Sequence, residues 1–196
     1  MAKNTQLVIL QPNPNRRPAP LKYYDPELQD AGNAEPYDEA RFQRAGAKAK
    51  RLCSAYLKQL AQLRPRLSKR TYSLFADERQ LLFDSNVLEF MFGDSFKRYR
   101  TRGFRFTTAV SAKFLDFDMK TIHVLKYRGV DSLNINVPSE RWYDWGGASK
   151  NIDRLLANEL TAVNPTMMEH RFLFSSGTTI SVKFSRVTWG TKRAPR

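Results

Sequence analysis

His170-Arg-Phe-Leu-Phe174 and Thr179-Ile-Ser-Val-Lys-Phe184, separated by Ser175-Ser-Gly-Thr178, alternate apolar and polar residues on either side of a glycine-bearing connection. A period of two means that successive side chains face opposite sides of a pleated strand, so this stretch reads as a β-hairpin. The same short period runs back through much of the chain. Leu81-Leu-Phe83 and Val87-Leu-Glu-Phe-Met-Phe92 read as strands joined by a turn at Asp84-Ser-Asn86. Phe104–Val110 and Ala112–Asp118 follow, then a turn at Asp118-Met-Lys120, a strand Thr121–Tyr127 and further strand content at Leu133–Val137.

Upstream of residue 78 the period lengthens. Phe42, Ala45, Ala49, Leu52, Cys53, Tyr56, Leu57, Leu60 and Leu63 fall on one side of a helix that starts near Asp38 and is ended by Pro65. Arg41, Arg44, Lys48, Arg51 and Lys58 collect on the opposite side, which makes the helix amphipathic with a basic outer face. Asp38 suits an N-cap and, with Glu39, the positive end of the helix dipole. A second helix is expected over Arg66–Phe75 with Leu67, Thr71, Leu74 and Phe75 inward, and a third over Ser149–Val163 from the spacing of Ile152, Leu155, Leu156 and Leu160. The expected fold is α+β: an N-terminal amphipathic helix, or helix pair, packed on a mainly antiparallel β-meander with one inserted helix.

Six of the ten prolines lie at positions 12, 14, 18, 20, 26 and 36. Residues 1–37 therefore read as a proline-rich extended arm, with Leu7–Leu10 as a short strand laid on the body. Residues 38–189 read as one α+β domain and residues 190–196 as a short basic tail.

The chain has 196 residues, 41% of them apolar, enough for a single core. One cysteine excludes an intramolecular disulfide framework and fits a reducing compartment. Without an apolar run long enough for a membrane span or a secretory signal, the expected location is cytoplasmic.

Charge is the most informative feature. The formal net charge is +14, and residues 40–76 hold ten basic side chains and residues 95–115 six, with no acid in 40–76 and none in 95–115. Segregated positive charge attracts polyanions, where a uniform surplus speaks only to solubility. The second window, Phe96-Lys-Arg-Tyr-Arg-Thr-Arg-Gly-Phe-Arg-Phe106, interleaves cations with rings. Guanidinium groups hold phosphates, and aromatic faces stack unpaired bases.

These observations lead to the expectation of a non-enzymatic module that binds the phosphate backbone of RNA or DNA with little sequence selectivity. Its expected contacts are Arg41, Arg44, Lys48, Arg51 and Lys58 on the helix, and Lys97, Arg98, Tyr99, Arg100, Arg102, Phe104 and Arg105 in the second window. No cofactor or metal is called for, since no Cys or His spacing matches a zinc site. Cys53, on the apolar side of its helix, reads as an inert buried thiol, and His123 as a satisfied strand residue.

Two other classes fit part of the pattern. A protein-binding adaptor or inhibitor would meet an acidic partner with the same basic face. A metal-dependent nuclease would use Asp116, Asp118 and Lys120, with Asp84 or Asp94 as a further carboxylate. Gly146-Gly-Ala-Ser149 reads as a turn and helix cap rather than an anion site.

Overall fold

A computed structural model describes residues 21–25, 27–32, 34–77, 82, 85–99, 103–136 and 154–195, and gives backbone alone for Gln29, Asp30, Phe92, residues 94–99 and residues 103–107. Among the described residues three α-helices precede six strands: α1 (Glu27–Gly32), α2 (Glu39–Leu63), α3 (Lys69–Ala76), β1 (Asn86–Tyr99), β2 (Gly103–Leu115), β3 (Thr121–Asn136), β4 (Leu155–Ala162), β5 (Met168–Phe174) and β6 (Thr179–Arg193). The strands form one antiparallel sheet in the order β1-β2-β3-β6-β5-β4, so the fold is α+β with an antiparallel meander.

α2 starts where its cap demands. The Asp38 carboxylate accepts from the Arg41 amide at 3.0 Å, and the chain tightens into a 3-10 turn at Arg64-Pro-Arg66. Ser68 caps α3 in the same way through the Thr71 amide. The C-terminal end of α2, with α3, supplies Leu60, Leu63, Leu67, Leu74 and Phe75 to the core, where they meet Val110, Phe114, Leu125, Tyr127, Leu160, Phe172 and Phe184 from the sheet.

The sheet curls until its two edges touch. Asn86 bridges Arg154, and the Leu155 amide donates to the Ser85 carbonyl at 2.9 Å. Across the interior, the Phe90 ring of β1 lies 5.5 Å from Phe172 of β5 in an edge-on contact. Part of the curl comes from Gly129 at φ +59°, where an added Cβ would sit 2.2 Å from the Ser185 hydroxyl, next to a register shift at Val130/Ser132. The free edge of β4 is covered by α2. The Leu160 amide donates to the Tyr56 hydroxyl at 3.3 Å, which hides an edge that would otherwise invite pairing.

The sequence reading needs correcting in several places. The stretch expected as an inserted helix over Ser149–Val163 forms β4 from Leu155, and residues 149–153 lie outside the described residues. A register shift between Leu155 and Ala157 makes Leu156 an extra residue, which moves Leu155 and Leu160 onto one parity despite their odd separation. That spacing imitates a helix. The long helix is not the first one, because the presumed extended arm contains α1. Phe104–Asp118 is one strand ending at Leu115 rather than two, and Leu82 is buried in a turn rather than on a strand. β6 runs on to Arg193, through residues read as a tail. Residues 1–20, with Leu7–Leu10, and the loop 142–147 lie outside the described residues.

One buried polar pair ties the interior to pH. The Tyr127 hydroxyl bonds His170 Nδ1 at 2.7 Å, and His170 Nε2 bonds Asn158 Oδ1 at 3.1 Å. An amide oxygen only accepts, so Nε2 carries the proton, Tyr127 donates to Nδ1, and the ring is neutral. Complete burial drives its pKa from 6.5 down to about 3. Below pH 6.5 the unfolded chain takes up a proton that the native ring refuses. Stability therefore falls as pH drops from about 6.5 towards 3, with a limiting slope of about 1.4 kcal/mol per pH unit. Urea unfolding between pH 5 and 6.5, above the carboxylate range, should show this slope in the native sequence and a flatter one in His170→Gln. Equal slopes would show that His170 is not its source.

Candidate nucleic-acid interface

On α2, Arg44, Arg51 and Lys58 are exposed and spaced by seven residues, close to two full turns. They form one stripe, with neighbours about 10 Å apart along the axis. No described carboxylate pairs with any of the three. Arg41 is half-buried beside the cap.

Lys48 departs from expectation. Its ammonium pairs with the carboxylates of Asp25 and of Glu27, the latter at 3.2 Å, both contributed by the arm and α1. Asp25 and then Glu27 hold its pKa above the ordinary lysine value. The arm thus neutralises part of the face that sequence alone presents as wholly unmatched. Lys113 of the second window is likewise paired, to Glu89 across the β1–β2 ladder.

The arm is held by an acid on the edge strand. The Glu159 side chain, buried on β4, accepts from the Lys22 amide at 3.1 Å and the Tyr23 amide at 3.0 Å. Glu159→Gln keeps the size but leaves one oxygen acceptor for two amides. About 1.4 kcal/mol lost there makes local opening roughly tenfold more frequent. Tryptic cleavage after Lys22 should accelerate by that factor. An unchanged rate would show that Glu159 does not anchor the arm.

The second window is the tip of the β1–β2 hairpin. β2 pairs with β3 only over Ala109–Leu115, whereas β1 and β2 go on pairing from Asp94↔Thr108 to Tyr99↔Gly103. Those six pairs form a two-stranded ribbon of about 20 Å beyond the sheet. Lys97 pairs with Arg105 and Arg98 with Phe104. Arg100 and Arg102 lie outside the described residues, as do the side chains of Lys97, Arg98, Tyr99, Phe104 and Arg105.

Topology orients the two segments. Tyr56 sits at Leu160 and Arg66 donates to the Asn164 carbonyl, so α2 runs alongside β4 in the same direction. β1 leaves Asn86, beside Arg154, antiparallel to β4. The first turns of α2 and the ribbon therefore both extend past the Leu155 end of β4.

At the other end of α2 lies a basic cluster that the sequence reading did not assemble. The Arg64 guanidinium lies 5.8 Å from the Tyr72 ring centre, and that of Arg70 5.2 Å from Trp189, with a hydrogen bond to Thr191. Lys69, Lys192 and Arg193 are exposed nearby in sequence. Charge counting registers these residues, but only the packing of α3 on β6 brings residues 64–70 to residues 189–193.

The acid-x-Lys element has structural duties. The Asp118 carboxylate accepts from the Lys120 and Thr121 amides and the Thr121 hydroxyl, closing the β2–β3 turn. These bonds hold its pKa below the usual carboxylate value. Asp116 bonds His123 Nε2 at 3.3 Å, and Trp189 Nε1 donates to His123 Nδ1 at 3.2 Å. Among the described residues no three His, Cys, Asp or Glu side chains come together as a metal site. Cys53 is half-buried on a cavity wall rather than sealed in the core. No described helix is long and apolar enough to cross a membrane.

Comparison with known proteins gives no match, whether to a protein family, to a curated protein or to a solved structure.

Proposed function

We propose that the protein is a non-enzymatic module that binds the phosphate backbone of RNA or DNA with little sequence selectivity. The observation that carries this reading is the exposed stripe Arg44, Arg51 and Lys58, with no described carboxylate against it. Solvated helices ordinarily offset such charges with acids three or four residues away. The hairpin register adds support, since it sets two basic residues, Lys97 and Arg105, at one level of the ladder. A projecting two-stranded ribbon also has the cross-section of a nucleic-acid groove.

Affinity for two unrelated labelled oligonucleotides of equal length, measured by anisotropy over a range of salt, tests the proposal. Each phosphate neutralised contributes about 0.7–0.9 to the slope of log affinity against log salt. Arg44→Ala/Arg51→Ala/Lys58→Ala should make the slope shallower by about 2–3 for both sequences alike. Salt-independent binding, or an unchanged slope, contradicts the assignment.

A second reading, an adaptor for an acidic protein, is favoured by one contact. Asp25, ahead of α1, and Glu27, its first residue, bring two carboxylates onto Lys48 of the basic helix. A partner of the same character would compete with the arm there. Retention of such a protein, rather than removable nucleic acid, after a high-salt wash supports this reading.

A further inference from the structure

The cations where α2 meets α3 are held differently from those of the stripe. Arg64 stands six residues past Lys58, about 120° round the helix, and its guanidinium lies over the Tyr72 ring of α3. Arg70 lies over Trp189, 5.2 Å from the ring centre. That ring is fixed in turn by His123: the two planes are within 13° of parallel, and Trp189 Nε1 donates to His123 Nδ1 at 3.2 Å. β6 keeps its register with β3 from Arg186 to Arg193, so Arg193 falls on the same side of the strand as Trp189 and Thr191. Lys69 adjoins Arg70 at the start of α3. Arg64, Lys69, Arg70 and Arg193 are exposed, and no described carboxylate pairs with any of them. A guanidinium lying over a ring keeps N–H groups at its edge for a phosphate, and the ring narrows its freedom before binding.

We propose that these four cations hold a second nucleic-acid segment, so that one chain bridges two. The inference rests on the phosphate-binding reading of the stripe and ribbon. Arg64 lies about 30 Å along α2 from Arg44. The stripe faces away from the buried side of α2, whereas the cluster lies where α3 covers β6. Backbone lying on the stripe and ribbon therefore leaves the cluster's charge unmatched. With fewer cations than the first surface, the cluster fills second. Two segments held on one chain meet at a raised effective concentration, which favours the pairing of complementary strands.

Two unrelated oligonucleotides of about 8 nucleotides, one carrying a donor dye and the other an acceptor, test this with the full chain. Energy transfer should rise to a maximum near one chain per two strands and fall again when protein is in excess. Sedimentation at the maximum should find one chain with two strands. Arg64→Ala/Arg70→Ala/Arg193→Ala should abolish the transfer, while affinity for one strand, measured by anisotropy in excess protein, changes by less than about twofold. Arg44→Ala/Arg51→Ala/Lys58→Ala should weaken both signals. No transfer from a native chain that binds one strand overturns the bridge and leaves the phosphate-binding reading standing. Transfer undiminished in the Arg64→Ala/Arg70→Ala/Arg193→Ala variant, or two chains in the complex, overturns the bridge as well. Absence of any anisotropy change removes both readings together.

Discussion

Replacing Lys97, Arg98, Arg100, Arg102 and Arg105 together with Ala should weaken oligonucleotide binding by about a hundredfold or more at low salt and make the salt slope shallower by about 4. Five cations are removed, each worth the release of nearly one counterion when it meets a phosphate. The expected loss is the same for unrelated sequences, because phosphate contacts position a chain without reading bases. Folding should survive. Among the described residues, the hairpin beyond Asp94↔Thr108 pairs in the ladder with itself alone. Stability by urea unfolding should stay within about 0.5 kcal/mol of the native value. Unchanged affinity in a folded variant would remove the ribbon from the interface.

The largest stability effect is expected from Phe172→Ala. Phe172 is fully buried on β5, its ring 5.5 Å from both Phe90 and Phe114 and 3.9 Å from His170. Phe90 and Phe114 belong to β1 and β2, at the far side of the sheet in strand order. The ring therefore fills the place where the curl closes on itself. Truncation removes its burial and leaves a cavity that two strand pairs must collapse to fill, at a cost of about 3–5 kcal/mol. Urea unfolding measures this directly. A loss below about 1 kcal/mol would mean that the curled sheet does not rely on these cross-interior contacts.

Much of this architecture was legible in the residues. The apolar positions from Ala45 to Leu63 announce α2, and Asp38 announces its start, because a 3.6-residue period over 25 residues leaves little ambiguity. The β5–β6 hairpin was equally plain from its alternation and turn. β4 was hidden because one extra residue at Leu156 shifts parity, which makes a strand look helical. α1, at six residues, is too short to show a period. The candidate interface divides in the same way. The stripe Arg44, Arg51 and Lys58 follows from helical spacing alone. The pairing of Lys48 does not, since its partners Asp25 and Glu27 stand more than 20 residues earlier, across the turn from arm to helix. Nor does the meeting of Arg70 with Trp189, which depends on which strand α3 covers.

Ultraviolet crosslinking of the protein to a uniformly labelled oligonucleotide, with the linked peptides mapped by mass spectrometry, tests the central claim most directly. Adducts concentrated in residues 96–106 and on peptides carrying Arg44, Arg51 and Lys58, disappearing together as salt rises, are the predicted result. Adducts concentrated instead on β3 residues 130–136, or crosslinking that persists at high salt, would contradict it.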